Sequence, residues 1–464
     1  MKIKTRGQVL HPPLLSDFSA KAHAELQFAP QEKIQTVQTQ LFLEHISYTL
    51  AHSDFYREKY RGAGIDIQEI KSLTDLSKLP LTEKSDLEDT RKFQCADVRE
   101  VVDICLTSGT SGSGTTMIPL TAQDLSRLAY NEELALGMTG IDSSDTLIVC
   151  AALDRCFMAG LAYFLGGARL SAAVVRAGSG SAAQHWEIIL QTRATTIVGV
   201  PSLIHKIGKY ALARQMNPAE STVKRLIAIG EPTKDKSMEL LPISRELEAM
   251  WDARIFSTYA SSEMATTFCE CEARQGGHFR PELIVVEILG HDDLPVPEGE
   301  TGEVVVTPLG ITGMPLIRFR TGDISYMITK PCTCGRTTPR LAPIIGRKNQ
   351  MLKYKGTTLY PNAVLGALEG DKRFQDGYVE ARLNPDGTDR VILFVALNGG
   401  LSKGETRDRA GFVDPGDISW IEEQLRARIR VVPEIRLISP EQAEEKIYQF
   451  HKKRKRVTFF DLRY

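Results

Sequence analysis

Hydrophobic and polar positions change their rhythm three times along the chain. Residues 15–62 carry the three-and-four spacing of an amphipathic helix, with Ile34, Val37, Leu41, Leu43 and Ile46 on one stripe and Phe55 and Tyr56 following it. From about Asp145, short apolar runs alternate with helical stretches. DTLIVCAAL, TTIVGVP and KRLIAIG have the length of strands, whereas WEIILQTR and LIHKIGKYALAR have helical spacing. That alternation predicts a mainly parallel sheet flanked by helices. Around residues 299–310, GETGEVVVTPLG predicts a hairpin and a more antiparallel β region. Beyond Gly346, YVEARL and RVILFVAL read as strands split by the turn NPDGT, and ISWIEEQLRARI as an amphipathic helix. The expected class is α/β and α+β. A large amino-terminal domain, residues 1–346, holds sheets flanked by helices plus a β region, and residues 347–464 form a small α+β domain.

Composition narrows the partners. A length of 464 residues suggests two or three units, and 42% hydrophobic with 25% charged residues is ordinary for a soluble protein. A formal net charge of −1 gives no global field towards nucleic acid or an anionic membrane, so neither partner is expected. The opening MKIKTRGQVLHPPLLSDF lacks the apolar core of a signal peptide, and no run approaches the roughly 18 apolar residues of a membrane span. Eight cysteines in a large unsignalled chain read as reduced thiols or metal ligands. A cytoplasmic location follows as an expectation.

The first chemical signal is Thr107-Ser108-Gly109-Thr110-Ser111-Gly112-Ser113-Gly114-Thr115-Thr116, glycine and hydroxyl residues without interruption. Backbone N–H groups and hydroxyls suit polyphosphate oxygens. It is not the usual nucleotide P-loop, since no Gly-Lys-Ser/Thr follows. A flexible linker has the same composition. Its place directly after the apolar Ile104-Cys105-Leu106 favours phosphate.

This loop resembles the Ser/Thr/Gly-rich signature of the acyl- and aryl-CoA synthetase superfamily of adenylate-forming enzymes, and the later segments follow its phenylacetate–CoA ligase branch in order. Ile229-Gly230-Glu231-Pro232 resembles a turn beside the adenine pocket. Tyr259-Ala260-Ser261-Ser262-Glu263 resembles the motif whose aromatic ring stacks on adenine and whose Glu helps hold Mg²⁺. Pro315-Leu316-Ile317-Arg318-Phe319-Arg320-Thr321-Gly322-Asp323 is similar to the segment whose last Asp accepts from the ribose hydroxyls. Gly346-Arg347-Lys348-Asn349-Gln350-Met351 resembles the hinge before a mobile carboxy-terminal domain, with Arg347 facing phosphate or ribose. Lys453-Arg454-Lys455-Arg456-Val457 resembles the ending whose first Lys is catalytic. Alone, Tyr259 would be a packing residue, Asp323 a turn residue, Glu263 a helix-start acid and the basic ending a solvated tail. Their joint order carries the resemblance, which spans residues 107–457.

The resemblance implies that ATP and a small aryl or arylacetic acid give an acyl-adenylate and pyrophosphate, after which a thiol, chiefly coenzyme A, takes the acyl group. A carrier-protein phosphopantetheine or an amine as acceptor, and a weakened nucleotide-binding regulator, stay open; so does a homodimer. Three departures stand out. No Lys follows the loop's glycines, Asn349 and Gln350 replace the hinge acids, and Lys453 follows Lys452 rather than Gly.

Cys271 and His278, with Cys332 and Cys334, form a donor set suited to a closed structural Zn²⁺ site. The C-x-C spacing is tight, and four unrelated residues would look the same; the resemblance favours zinc, with Cys269 a competing ligand. By chain order Phe157, Gly160 and Ala260 are expected at the acyl pocket, although a Phe there also suits plain core.

Overall fold

The computed structural model describes residues 24–107, 116–154, 156–354, 357–384, 389–398, 415–448 and 456–463. They fall into two compact units. The larger takes in Met1–Thr233, Leu247–Thr321 and Ser325–Pro343; the smaller takes in Lys234–Glu246, Gly322–Ile324 and Ile344–Tyr464. The division therefore comes at Ile344 rather than Arg347, and two short earlier segments, one carrying Asp323, join the smaller unit.

In the larger unit the early apolar stripe becomes the helix Gln31–His52, burying Ile34, Leu41, Phe42 and Ile46. Ser53 ends it and caps the next helix, Asp54–Gly62, by accepting from Tyr56 N at 3.4 Å. Strands β1 (Val101–Thr107) and β2 (Thr116–Thr121) form an antiparallel pair. The alternating region supplies β3 (Thr146–Val149), β4 (Ala173–Arg176), β5 (Thr196–Gly199), β6 (Arg225–Ala228), β7 (Arg254–Ser261), β8 (Thr266–Glu270) and β9 (Gly277–His278). β4, β3, β5, β6 and β7 lie side by side in parallel, and β8 and β9 continue the sheet antiparallel. With two later short strands the sheet has nine strands. Leu147, Ile148, Val149, Ile197, Val198, Leu226 and Ile227 are buried along their whole run, which is why these segments read as continuous rather than alternating apolar stretches.

On one face Leu147, Val149, Val198, Ile227 and Phe256 meet Leu136 and Tyr163 from the helices Ala122–Gly137 and Met158–Arg169. These two helices approach at a distance only glycine allows. A Cβ on Gly166 would lie 2.3 Å from Glu132 Cβ, and one on Gly160 would lie 2.3 Å from the Ala152 carbonyl oxygen. The stretch at residues 299–310 supplies one strand, β11 (Gly302–Pro308), which forms an antiparallel hairpin with the strand before it, β10 (Ile284–Leu289), inside a four-stranded sheet, so the expected antiparallel β region is present. Its apolar core, Val304–Val305–Val306, is one strand long, and GET closes the incoming loop.

In the smaller unit Phe374–Leu383 and Asp389–Leu397 form the predicted hairpin. Glu434–Ile438 and Phe459–Asp461 add in parallel on its two sides. The helix Pro415–Ile429 packs Trp420, Ile421 and Leu425 against Val379, Val391, Leu393 and Val395. Among the described residues no helix is long and apolar enough to cross a membrane.

Candidate active site

Ligands of open parallel sheets gather beyond the carboxyl ends of the strands, and the nucleotide candidates of the larger unit lie there. Beyond β6 the chain turns through Gly230, at φ +68°, and Glu231. Val200, the residue capping the helix Pro201–Leu212, has no side chain able to accept a hydrogen bond. Glu231 supplies the missing acceptor, taking Ser202 N at 2.8 Å and Ser202 Oγ at 2.6 Å. Its charge thereby fixes the Gly230-Glu231-Pro232 turn against the neighbouring β–α crossing.

The last residues of β7 carry Tyr259, Ala260 and Ser261. Tyr259 is half-buried, its ring 5.6 Å from that of Phe268 across the ladder. A turn then reverses the chain: Ser261 Oγ accepts from Met264 N at 3.4 Å, Ser261 O accepts from Ala265 N at 3.1 Å, and Ala265 takes φ +42°. An alanine there is strained, and Arg127 holds it. This guanidinium, fully buried on the helix Ala122–Gly137, donates to Ala265 O at 2.6 Å, Thr266 Oγ1 at 2.9 Å, Leu283 O at 2.5 Å and Leu309 O at 2.6 Å. The turn presents Ser262 and Glu263, and Glu263 Oε1 lies 3.9 Å from Lys84 Nζ. Lys84 is placed in turn by Thr82, whose N–H donates to Arg318 O at 2.9 Å and whose hydroxyl donates to Ile317 O at 2.6 Å.

Neither Arg127 nor Lys84 is visible in the sequence, because each acts on residues far along the chain. The one available signal is the Lys missing from the Ser/Thr/Gly loop, which asks for a cation from elsewhere. Of that loop, Ser108, Gly109, Thr110, Ser111 and Gly112 lie outside the described residues. Its base is closed by the register pair Thr107 and Thr116. Leu106 N donates to Cys156 O at 2.9 Å, bringing the base beside Phe157, which is exposed at the start of the helix Met158–Arg169. Gly160 is buried on the carbonyl of Ala152, while Ala260 is exposed.

In the smaller unit Asp323 and Arg347 face each other as register partners, and Arg347 Nε donates to Asp323 Oδ1 at 3.2 Å. Asp323 is buried and Arg347 half-buried. Lys453 lies outside the described residues, in a segment bounded by Tyr448 and Arg456. Arg456 is tied to Asp376 by an ion pair.

The donor atoms of Cys271, His278, Cys332 and Cys334 all lie within 4.8 Å of one another. Cys271 Sγ is 3.6 Å from Cys332 Sγ, and Cys334 Sγ is 3.5 Å from His278 Nε2. Ligands on a tetrahedral zinc with bonds of about 2.3 Å stand about 3.8 Å apart, so the set fits such an ion. His278 Nδ1 is 3.1 Å from Thr338 Oγ1, which orients the ring with Nε2 towards the thiols. Burial, then the charges of Arg280, Arg336 and Arg340, hold the imidazole at about 3, in its neutral, ligating form. Cys269 does not belong to the set. It sits inside β8 as the register partner of His278, with its thiol towards Glu270 O at 3.4 Å, whereas Cys271 lies past the strand's end.

A family model described as AMP-binding enzyme matches residues 33–313. A phenylacetate-coenzyme A ligase of Thermus thermophilus is 29% identical over 74% of this chain and 77% of its own length. The phenylacetate-coenzyme A ligase of Escherichia coli is 27% identical over 73% of this chain and 76% of its own. Among solved structures, a 2-hydroxyisobutyryl-CoA ligase in the postadenylation state with its acyl-adenylate superposes with a TM-score of 0.80 at 21% identity, over 99% of this chain and 95% of that one.

Proposed function

The chain belongs to the AMP-binding enzyme family, and from that premise we propose that it activates a small aryl or arylacetic acid with ATP and passes the acyl group to coenzyme A. The observation that carries this reading is the crest of the larger unit. The Gly230 turn, the Tyr259 strand end and the Glu263 turn stand together beyond adjacent parallel strands, the first tied to Ser202 through Glu231 and the last to the buried Arg127. The similarity to phenylacetate-coenzyme A ligases supports the acid class and the thiol acceptor.

In this reading the acid's carboxylate attacks the α-phosphorus of ATP, forming the acyl–phosphate bond and releasing pyrophosphate. Two anions are brought together, so positioning and positive charge carry the catalysis. Tyr259 stacks on adenine. Asp323 accepts from the ribose, with Arg347 beside it. Residues Thr107–Gly112 donate to the departing phosphates, and Lys84 supplies the cation that the loop lacks. Lys453 bridges the carboxylate and the α-phosphate. Glu263 would hold Mg²⁺, which when bound neutralises phosphate charge. The thiol then attacks the acyl carbonyl and AMP leaves. Cys271, His278, Cys332 and Cys334 would hold a structural Zn²⁺, clamping the segment after β8 to the segment carrying Cys332.

The test is pyrophosphate release with ATP and a panel of aryl and arylacetic acids, with and without coenzyme A, followed by thioester detection. Acid-dependent release that ends in an acyl-CoA is expected. Release without thioester would move the acceptor to a carrier protein or an amine, and no release with any acid would overturn the reading.

A further inference from the structure

Strand β7 lies inside the nine-stranded sheet, where side chains are ordinarily covered on both faces, yet Thr258 is only half-buried and Ala260 is exposed. Those two residues share one face. Across the antiparallel ladder Thr267 stands opposite Ala260 on that same face. The wall beneath Ala260 is therefore polar. Thr258 Oγ1 donates to Ala228 O at 2.8 Å and stands 3.4 Å from the Tyr163 hydroxyl. Thr267 Oγ1 donates to Glu132 Oε1, and Asn131 Nδ2 donates to the same oxygen at 3.1 Å.

Glu132 is 1% exposed. Among the described residues its second oxygen, Oε2, has no hydrogen-bond partner, and neither does the neighbouring Asn131 Oδ1. Gly166 presses the helix Met158–Arg169 onto the Glu132 Cβ, so the carboxyl cannot swing out to water. Burial pushes it up to about 7, against the hydrogen bonds of Thr267 and Asn131 and the charge of Arg280. Two adjacent buried acceptors without donors are costly, and a purely apolar acid in this recess would leave them so.

We propose that the acid carries a hydrogen-bond donor, an amino or hydroxyl group, at the end remote from its carboxylate, and that Glu132 Oε2 accepts from it. The proposal rests on the reading of the recess beside Ala260 as the acyl pocket. A site built around a substrate donor rejects the analogue that lacks it far more strongly than an apolar pocket separates methylenes.

The experiment compares kcat/KM for pyrophosphate release with benzoate and phenylacetate against their amino- and hydroxy-substituted counterparts, in the wild type, Glu132→Gln and Glu132→Met. The wild type should favour a substituted acid by at least ~10-fold. Glu132→Gln, whose side-chain carbonyl still accepts, should keep part of that preference, and Glu132→Met should erase or invert it. The amino and hydroxyl arms identify the donor. Should Glu132→Met fail to fold, thermal shifts of the wild type and Glu132→Gln with each acid and ATP make the same comparison. A wild type that prefers unsubstituted acids, or a Met variant with the wild-type preference, would overturn the proposal; Glu132 would then be a core carboxyl closed by its own proton onto Asn131. Pyrophosphate release with none of the acids would instead overturn the adenylation reading, and this inference with it.

Discussion

Replacing Arg127 by Met should damage the turn that carries Glu263 more than its distance in sequence suggests. The guanidinium fills four acceptors: Leu309 O, Ala265 O, Leu283 O and Thr266 Oγ1. Two of these keep other partners. Leu283 O still accepts from Leu309 N at 2.7 Å, and Thr266 Oγ1 still donates to Met264 O at 2.9 Å. That leaves the carbonyls of Ala265 and Leu309, each worth about 1–3 kcal/mol when buried without a donor. Removing a fully buried cation returns part of the sum, so a net loss of about 2–4 kcal/mol is expected. Arg127→Lys should recover little, since one ammonium cannot span acceptors arranged around a planar fork. With Ala265 no longer held at φ +42°, Glu263 should lose its place, raising the apparent KM for Mg·ATP several-fold while the KM for the acid changes little. Urea unfolding gives the first quantity and steady-state pyrophosphate release the second. A loss below about 1 kcal/mol with an unchanged Mg·ATP dependence would show that the turn holds itself.

Lys453→Ala should slow adenylation by at least ~10²-fold while sparing thioester formation from synthetic acyl-adenylate; equal loss in both half-reactions would remove the role given to it. Asp323→Ala should weaken ATP binding by roughly 1.5–3 kcal/mol, the worth of hydrogen bonds to an ionised acceptor, measured by titration calorimetry; unchanged affinity would leave Asp323 as the partner of Arg347 alone. Protein purified without chelators should hold about one zinc per chain, and Cys334→Ser should lower metal content and melting temperature together; a metal-free wild type by elemental analysis would refute the site. Glu132, raised from 4.5 to about 7, holds its proton longer when folded than unfolded. The unfolded chain therefore binds fewer protons between those values, so this carboxyl lowers stability as pH rises through that window. Glu132→Gln should flatten that slope, seen as a larger gain in melting temperature at about pH 8 than at about pH 5. Parallel pH profiles for the two proteins would contradict the shift.

Periodicity was enough to place β3, β5 and β6, because their buried residues leave unbroken apolar runs between amphipathic helices; β4 and β7, only partly buried, leave no such run and were not read from the sequence. The Gly230 and Tyr259 segments were legible because their residue types follow a recognisable order. Tertiary ties were not. Arg127 reads as one polar position on an amphipathic helix, and its acceptors come from three separate stretches of chain. Lys84 and Glu263 meet only because Thr82 is pinned near Ile317 and Arg318. Glu132 reads as the first of two helix-surface acids, and its burial goes with the close approach of Gly166, which no local pattern reports. The hairpin expected around residues 299–310 has only its second strand there, and its first strand, Ile284–Leu289, lies across a loop too long to be read as a tight turn.

The glycine contacts of the helix Met158–Arg169 also limit how such a protein can acquire new substrates. With Gly160 against a main-chain carbonyl and Gly166 against Glu132 Cβ, the helix has no slack to slide or tilt when a bulkier acid arrives. In the proposed reading of the recess beside Ala260 as the acyl pocket, extra room has to come from exchanging the residues around it, each substitution adding or removing a fixed volume and a fixed polarity. Variation on this scaffold is therefore expected to move between acids in discrete jumps, and mutant libraries confined to Thr258, Thr267, Asn131 and Glu132 should contain most of the reachable substrate range.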